Sequence, residues 1–588
     1  MKKNFLLSAA ALFASATLIA GNPATWNVTD LNPGGTDYTG ALPSAMAGCA
    51  MVFGDYDNDG DLDMFYVGGQ NADNVHVGLL QNNNGAFTAV ELSSDFIALQ
   101  QASAAWMDYN NDGNLDLIIV GTPDGTTTYT YVMKNLGAAE GYAFEEDIDN
   151  YLPGIFGEGN DNVQHTIAAI DYNNDGWTDL VLSGNAGAKW DGEHGRLTAL
   201  FKNVNGIFEF EDHATLGAET FNQVNGGGIA VGDANNDGYM DLLIGGYDDD
   251  ADKLPDAEGV VKKGNCRTVL YINNGNGGFT KSPLTFAAAN NQGLAFFVDA
   301  NNDGWNDIVD LGRDLNNGWA NSATLYTNAN GTFTAAGDAG LAGGQTVIGM
   351  GDLNNDGNMD FVHAGWPTVN IAYGNGDNTF TEQAFAAKDG DNFVDAALGS
   401  LAARGGAVSV VDLNGDLTLD MHISGWSDAN GRWSDGIAMN TITVANQAPT
   451  APTNVVVEKA AGAYTISWAA ATDDHTPTAA IRYNIAAQDA EGNVWMLVPA
   501  DLATGKQKVA GMIPAYLTTT SYTFKGEGSY TFSVQAIDQA NAGSAFVAAH
   551  GSAVENVEVV APKKIVENGQ IYILKGDAKY TVLGQNVK

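Results

Sequence analysis

Seven copies of one acidic nonapeptide constrain this chain more than any other feature. They read "DYDNDGDLD" from Asp55, "DYNNDGNLD" from Asp108, "DYNNDGWTD" from Asp171, "DANNDGYMD" from Asp233, "DANNDGWND" from Asp299, "DLNNDGNMD" from Asp352 and "DLNGDLTLD" from Asp412. Successive copies start 53, 63, 62, 66, 53 and 60 residues apart. That period is longer than an ankyrin or leucine-rich repeat and suits four short strands with variable connections. Each copy lies between an apolar segment, such as "GIAVGD" or "LAFFVD", and a β-branched run, such as "LDLIIVG" or "TDLVLSG". It is therefore a turn joining two strands. A second signature, as in "LFKNVNGIFEF" and "LYTNANGTFTAA", sets Asn and Gly between two further apolar runs and predicts a tight hairpin. Four strands per unit predict an all-β chain whose residues 21–443 form a seven-bladed β-propeller. The seventh unit lacks its last strand, and "ATWNVTDL" at residues 24–31 is the expected replacement, which closes the ring and removes two open sheet edges.

Within the nonapeptide, positions 1, 3, 5 and 9 are always Asp or Asn, position 6 is Gly in six of seven copies, and position 7 varies. A hard divalent cation takes six to eight oxygens from such a mixture of carboxylates, amides and carbonyls, with glycine permitting the sharp turn. The expected ligands are Asp55, Asp57, Asp59, Asp61 and Asp63 in the first loop and Asp108, Asn110, Asp112, Asn114 and Asp116 in the second. The third loop offers Asp171, Asn173, Asp175, Trp177 and Asp179, and the fourth Asp233, Asn235, Asp237, Tyr239 and Asp241. The fifth offers Asp299, Asn301, Asp303, Trp305 and Asp307, and the sixth Asp352, Asn354, Asp356, Asn358 and Asp360. In the seventh they are Asp412, Asn414, Asp416, Thr418 and Asp420, with Leu417 where glycine is expected. Position 7 serves through its backbone carbonyl. An EF-hand requires a Glu at position 12 and an exiting helix, whereas position 12 here is Tyr66, Ile119 or Leu182 inside a strand. Up to seven Ca2+ are expected, the seventh site being the weakest fit. Seven ions would take the formal net charge of -45 to -31, offsetting real repulsion and stabilising the fold by linkage.

These repeats resemble the FG-GAP/VCBS class, whose calcium-loop blades also occur in integrin α-subunit propellers and in some propeller lectins. The resemblance covers roughly residues 24 to 443 and implies a propeller with calcium in the turn between a blade's first two strands. A ligand does not follow from the fold.

After "ANQAPTAPTN" at residues 445–454, the strands of "VVVEKAAGAYTISWAAATDD", "IRYNIAAQDAEG" and "SYTFSVQAIDQANAGSAF" predict a β-sandwich over 444–560. It resembles a fibronectin type III domain, with Trp468 in the core, and reads most simply as a spacer. The tail, 561–588, contains three short strands' worth of alternation. It resembles the C-terminal sorting segments of proteins exported by Bacteroidetes through the type IX route. Residues 1–20, with two lysines ahead of an apolar stretch and small residues at its end, read as a signal peptide. Together these imply a protein secreted by, or attached to the outer surface of, a Gram-negative bacterium. Lys+Arg 25 against Asp+Glu 70 argues against nucleic acid as a partner. No later stretch approaches the roughly 20 apolar residues of a membrane span, and Cys49 and Cys266, the two cysteines, exclude a disulfide framework.

No nucleophile elbow, H-E-x-x-H, P-loop or dinucleotide fingerprint occurs, and His363 and His422 read as strand residues. The expected function is therefore a monomeric, non-catalytic protein binding glycans or glycoproteins. A polysaccharide lyase or hydrolase and a protein adhesin are the alternatives. In a propeller the acidic loops share one face. On the other lie Gln70, Thr122, Asn185, Tyr247, Arg313, Trp366 and Trp426 just after the second strands, with Trp190, Trp319 and Trp433 nearby. Tyr247, Arg313 and the five tryptophans are the candidate ligand residues, because aromatics among Asn and Asp suit the apolar faces and hydroxyls of sugars.

Overall fold

A computed structural model of the chain describes residues 24–30, 50–69, 75–157, 166–187, 195–211, 220–224, 226–248, 265–286, 290–314, 317–318, 320–344, 347–364, 369–386, 407–427, 432–510, 516–551, 563–567, 570–575, 578–581 and 586–587. The signal-peptide reading of 1–20 lies outside them. Among the described residues the fold is all-β, and no helix is long and apolar enough to cross a membrane.

Each acidic nonapeptide is the turn between the first two strands of an antiparallel sheet. In the fourth sheet these are Ile229–Gly232 and Asp241–Asp248, followed by Asn265–Asn273 and Phe279–Lys281. The same order of four consecutive strands recurs in the first, second, third, fifth and sixth sheets. The last repeat sheet instead takes its outer strand from Trp26–Asp30, which pairs antiparallel with Arg432–Asn440 from Trp26 opposite Asn440 to Asp30 opposite Gly436. The first strands of all seven repeat sheets line one apolar cavity of about 170 Å3, through residues such as Val52, Ala105, Ala168, Ala230, Ile348 and Val408. Small and β-branched side chains at these positions let the strands converge, as in a propeller.

C-terminal to the repeats, two four-stranded sheets share one core. One contains Thr453–Ala460, Ala463–Ala469 and Ser521–Phe524, and the other Arg482–Gln488, Val494–Met496 and Thr531–Ile537. Trp468, Tyr483, Trp495 and Phe532 are buried between them. This unit is not a spacer. Its core is continuous with Tyr172 and Met240 of the repeat region, and Val509–Ala510 leaves it to pair with Phe53 and Gly54, making the first repeat sheet five-stranded. Phe524 also abuts Gly176 of the third loop, so apolar surface of this unit is covered by the repeats as well as by its own sheets. The tail forms four strands rather than three: Lys563–Glu567, Gln570–Lys575, Ala578–Thr581 and Asn586–Val587.

Candidate metal loops and the face opposite them

Two backbone positions shape every loop. Position 4 has positive φ (Asn58 59°, Asn111 58°, Asn174 59°, Asn236 56°, Asn302 60°, Asn355 52°), and so does position 6, from Gly60 at 90° to Gly357 at 84°. Asn tolerates the left-handed region and Gly occupies it without steric cost. The seventh loop keeps the same shape with Gly415 at position 4 and Leu417 at φ 65°. Leu417 N donates to Asp412 Oδ2 at 2.9 Å, as Gly113 N does to Asp108 Oδ2 at 2.8 Å. Leu417 thus carries left-handed strain of about 1–2 kcal/mol, while a glycine there would return about 0.4–1 kcal/mol through the entropy of the unfolded chain. Leu417→Gly is expected to stabilise the protein by about 0.5–1 kcal/mol, read as a higher urea midpoint in calcium; an unchanged or lower midpoint would contradict this.

The side-chain oxygens at positions 1, 3 and 5 turn inward because each accepts a backbone N–H from later in the loop. In the fourth loop, Asp237 N donates to Asp233 Oδ1 at 3.2 Å and Asn235 Oδ1 at 3.1 Å, and Tyr239 N donates to Asp237 Oδ1 at 2.9 Å. Position 9 holds two strands together: Asp241 accepts Ala234 N at 2.8 Å and Asn273 N at 2.7 Å. Burial raises the carboxyls at both ends of the loops. Asp55, Asp233 and Asp299 are pushed up to about 6, Asp108, Asp307 and Asp420 to about 7, and Asp63 and Asp352 to about 8. Asp116, Asp179, Asp241 and Asp360 are raised further, first by burial and then by a neighbouring aspartate.

The donor set fits a hard cation best in the first loop, where Asp55, Asp57 and Asp63 bring carboxylate oxygens within 4.8 Å of one another. Asp55 Oδ1 is buried with no hydrogen-bond partner, which is what a metal ligand looks like without its metal. The other loops carry Asn at position 3 and so offer an amide oxygen in that place.

One set of residues was hidden within the second signature. Asn82, Asn135, Asn203, Asn273, Asn328 and Asn440 are buried at the end of third strands. Each donates its amide to the position-8 carbonyl of its own loop and to the position-2 carbonyl of the preceding one. Asn273, for example, reaches Met240 O at 3.1 Å and Tyr172 O at 2.7 Å. Asn82 of the first sheet reaches Leu413 O of the seventh at 3.0 Å. In the sixth sheet Gly374 replaces the asparagine, and Asn378 N donates to Ala300 O at 3.2 Å instead. In the first five sheets the sequence signal was the Asn preceding the hairpin glycine, which hairpin chemistry alone explains equally well; Asn440 has no such glycine after it.

On the opposite face the second strands run further than expected, so Thr122, Asn185, Tyr247, Arg313 and Trp426 lie inside strands rather than after them. Thr122 is fully buried and Arg313 half-buried. Trp426 pairs with Trp433 across two neighbouring strands. Trp190, Trp319, Trp366 and Gln70 lie outside the described residues. The two histidines are strand residues in carboxylate pairs, His363 Nε2 to Glu382 Oε1 at 2.9 Å and His422 Nε2 to Asp435 Oδ1 at 2.6 Å, and both are buried.

No curated protein matches the sequence significantly. Solved structures similar to part of it include an Agrocybe aegerita lectin described by its recognition of non-reducing terminal N-acetylglucosamine, at 19% identity over 59% of this chain and 81% of that one, TM-score 0.38. Others are a fungal AA5-family alcohol oxidase with copper, at 10% identity over 89% and 98%, TM-score 0.41, and a puromycin hydrolase variant, at 12% identity over 72% and 58%, TM-score 0.33. At these scores none bears on function. FG-GAP-like repeats match at residues 55–119 and 171–244, spanning the first four loops, and the chain thus carries FG-GAP-like repeats in an all-β fold consistent with a propeller.

Proposed function

We propose that this is an exported, calcium-stabilised seven-bladed propeller with a fibronectin type III-like sandwich, acting as a non-catalytic binding protein for glycans or glycoproteins. The seven asparagine or backbone bridges from sheet to preceding sheet, including the return from Asn82 to Leu413, support seven blades. The FG-GAP-like repeats and the unpartnered Asp55 Oδ1 support calcium, held by the carboxylates and amides at positions 1, 3, 5 and 9. Calcium there would supply charge neutralisation and a fixed loop shape.

The observation that carries the binding reading is the cover over the loop face. The C-terminal unit touches the first six loops, through contacts such as Lys508 Nζ to Gly113 O at 2.8 Å and Thr518 Oγ1 to Asn236 Oδ1 at 2.8 Å. A macromolecular ligand is left the opposite end of the ring, where Trp426 and Trp433 are paired. Tryptophan suits sugar rings, which present apolar faces and hydroxyl edges.

A glycan array probed with the full exported chain tests this. Binding to a defined glycan class, lost in the Trp426→Ala, Trp433→Ala double variant, is expected. Tight binding to a protein with no glycan bound, or turnover of a polysaccharide, would overturn it.

A further inference from the structure

The loops and the C-terminal unit meet through the parts of the loop that a cation would shape. Lys525 N donates to Asn174 O at 2.6 Å, and Asn174 Nδ2 donates to Thr523 O at 3.0 Å. Gln539 Nε2 donates to Asn302 Oδ1 at 2.8 Å, and Asp352 N to Gln539 O at 2.8 Å. Asp55 N donates to Lys508 O at 2.9 Å, and Lys506 Nζ to Gly60 O at 3.1 Å. These are backbone groups and left-handed asparagines, so the contacts exist only while the loop keeps its shape.

Position 6 has a second use here. A Cβ at Gly176 would overlap Phe524, one at Gly304 the carbonyl of Ala479, and one at Gly357 the carbonyl of His475. The glycine that permits the turn also permits the cover to seat. In the seventh loop both features are missing, since Leu417 occupies position 6 and is 38% exposed, and Gly415 removes the asparagine at position 4. A cavity of about 250 Å3 opens there, lined by Asp412, Leu417, Leu419, Lys506 and Ala540.

We propose that docking of the C-terminal unit is thermodynamically coupled to cation occupancy of the first six loops, and that the seventh loop takes and releases its cation independently. This rests on the calcium reading above. A cation fixes the loop backbone that the cover binds, and the cover in turn holds the loop in its cation-binding shape, so by linkage each strengthens the other. Three aspartates around one divalent ion leave a filled loop with a net negative charge. The lysines of the cover are therefore still attracted to it.

The test uses the full chain with calcium alone. Amide exchange at Asp55, Asp352 and Lys525, whose N–H groups cross the junction, is expected to accelerate about tenfold or more on chelation. Amides inside the unit, between Arg482–Gln488 and Thr531–Ile537, are expected to stay protected. Reciprocally, in a Trp177→Phe background terbium emission excited through Trp305 reports the fifth loop, and Gln539→Ala is expected to speed terbium release there by about fivefold or more. Asp412→Asn with Asp416→Asn should remove one fast-exchanging ion without changing the three junction amides.

Equilibrium dialysis showing no bound calcium would remove the calcium reading itself. Bound calcium with unchanged junction amides and unchanged terbium release would overturn the coupling alone. Junction amides that respond to the seventh-loop variant would overturn its independence.

Discussion

Chelation at pH 8 is expected to lower the melting temperature of the full chain by on the order of 10 °C or more, and by far less at pH 5. On the calcium reading proposed above, one site filled at 100 times its dissociation constant would contribute about 2.7 kcal/mol, and each further filled loop would add a similar amount. The pH dependence follows from the buried carboxyls. With no metal, Asp55, Asp233 and Asp299 titrate at about 6, Asp108, Asp307 and Asp420 at about 7, and Asp63 and Asp352 at about 8. The unfolded chain releases these protons at about 3.9. Between about pH 4 and 8 the metal-free fold thus binds more protons than the unfolded chain, and its stability falls as pH rises. Calcium requires the ionised carboxylates, so its contribution grows over that same interval. Melting curves at pH 5 and 8, with calcium and with chelator, check both slopes. A chelated protein that melts at the calcium-loaded temperature at pH 8 would remove the metal from the account of stability.

Asn273→Ala is expected to cost about 3 kcal/mol, equally with and without calcium. The side chain makes three hydrogen bonds: its amide to Tyr172 O and Met240 O, and its Oδ1 from Gly275 N at 3.0 Å. Truncation leaves buried backbone groups unpaired, at about 1–3 kcal/mol each before relaxation. Asn273 is not a candidate ligand, so calcium should not rescue the loss. Urea midpoints in calcium and in chelator measure it. A change under about 1 kcal/mol would show that the bridges between sheets follow from ring closure rather than contribute to it.

The acidic loops and Asn273 sit at opposite ends of what the sequence made readable. The acidic turns were legible because their pattern is local: Asp233, Asn235, Asp237 and Asp241 lie within nine residues, and Asn at position 4 with Gly at position 6 marks the two left-handed residues in six of the seven loops. The strands flanking them were legible for the same reason, through alternation and β-branching. Asn273 was not, because one of its partners, Tyr172, lies 101 residues away and its composition fits an ordinary hairpin. The ends of the second strands were read too short at Tyr247 and Arg313, because hydrogen bonding to the third strand carries the pairing past Gly245, Gly246 and Gly312, residues with weak strand preference.

Short-range features were readable from residue order alone. It set the seven-fold repeat, the oxygen-rich turns and their strands, because periodicity and turn chemistry act over a few residues. That the C-terminal unit sits on the loops follows from long-range packing alone. That outcome depends on Phe524 meeting Gly176, Ala479 meeting Gly304 and His475 meeting Gly357, pairs far apart in the chain. A glycine in a turn reads the same whether its missing Cβ faces water or another sheet, and only three-dimensional packing distinguishes the two.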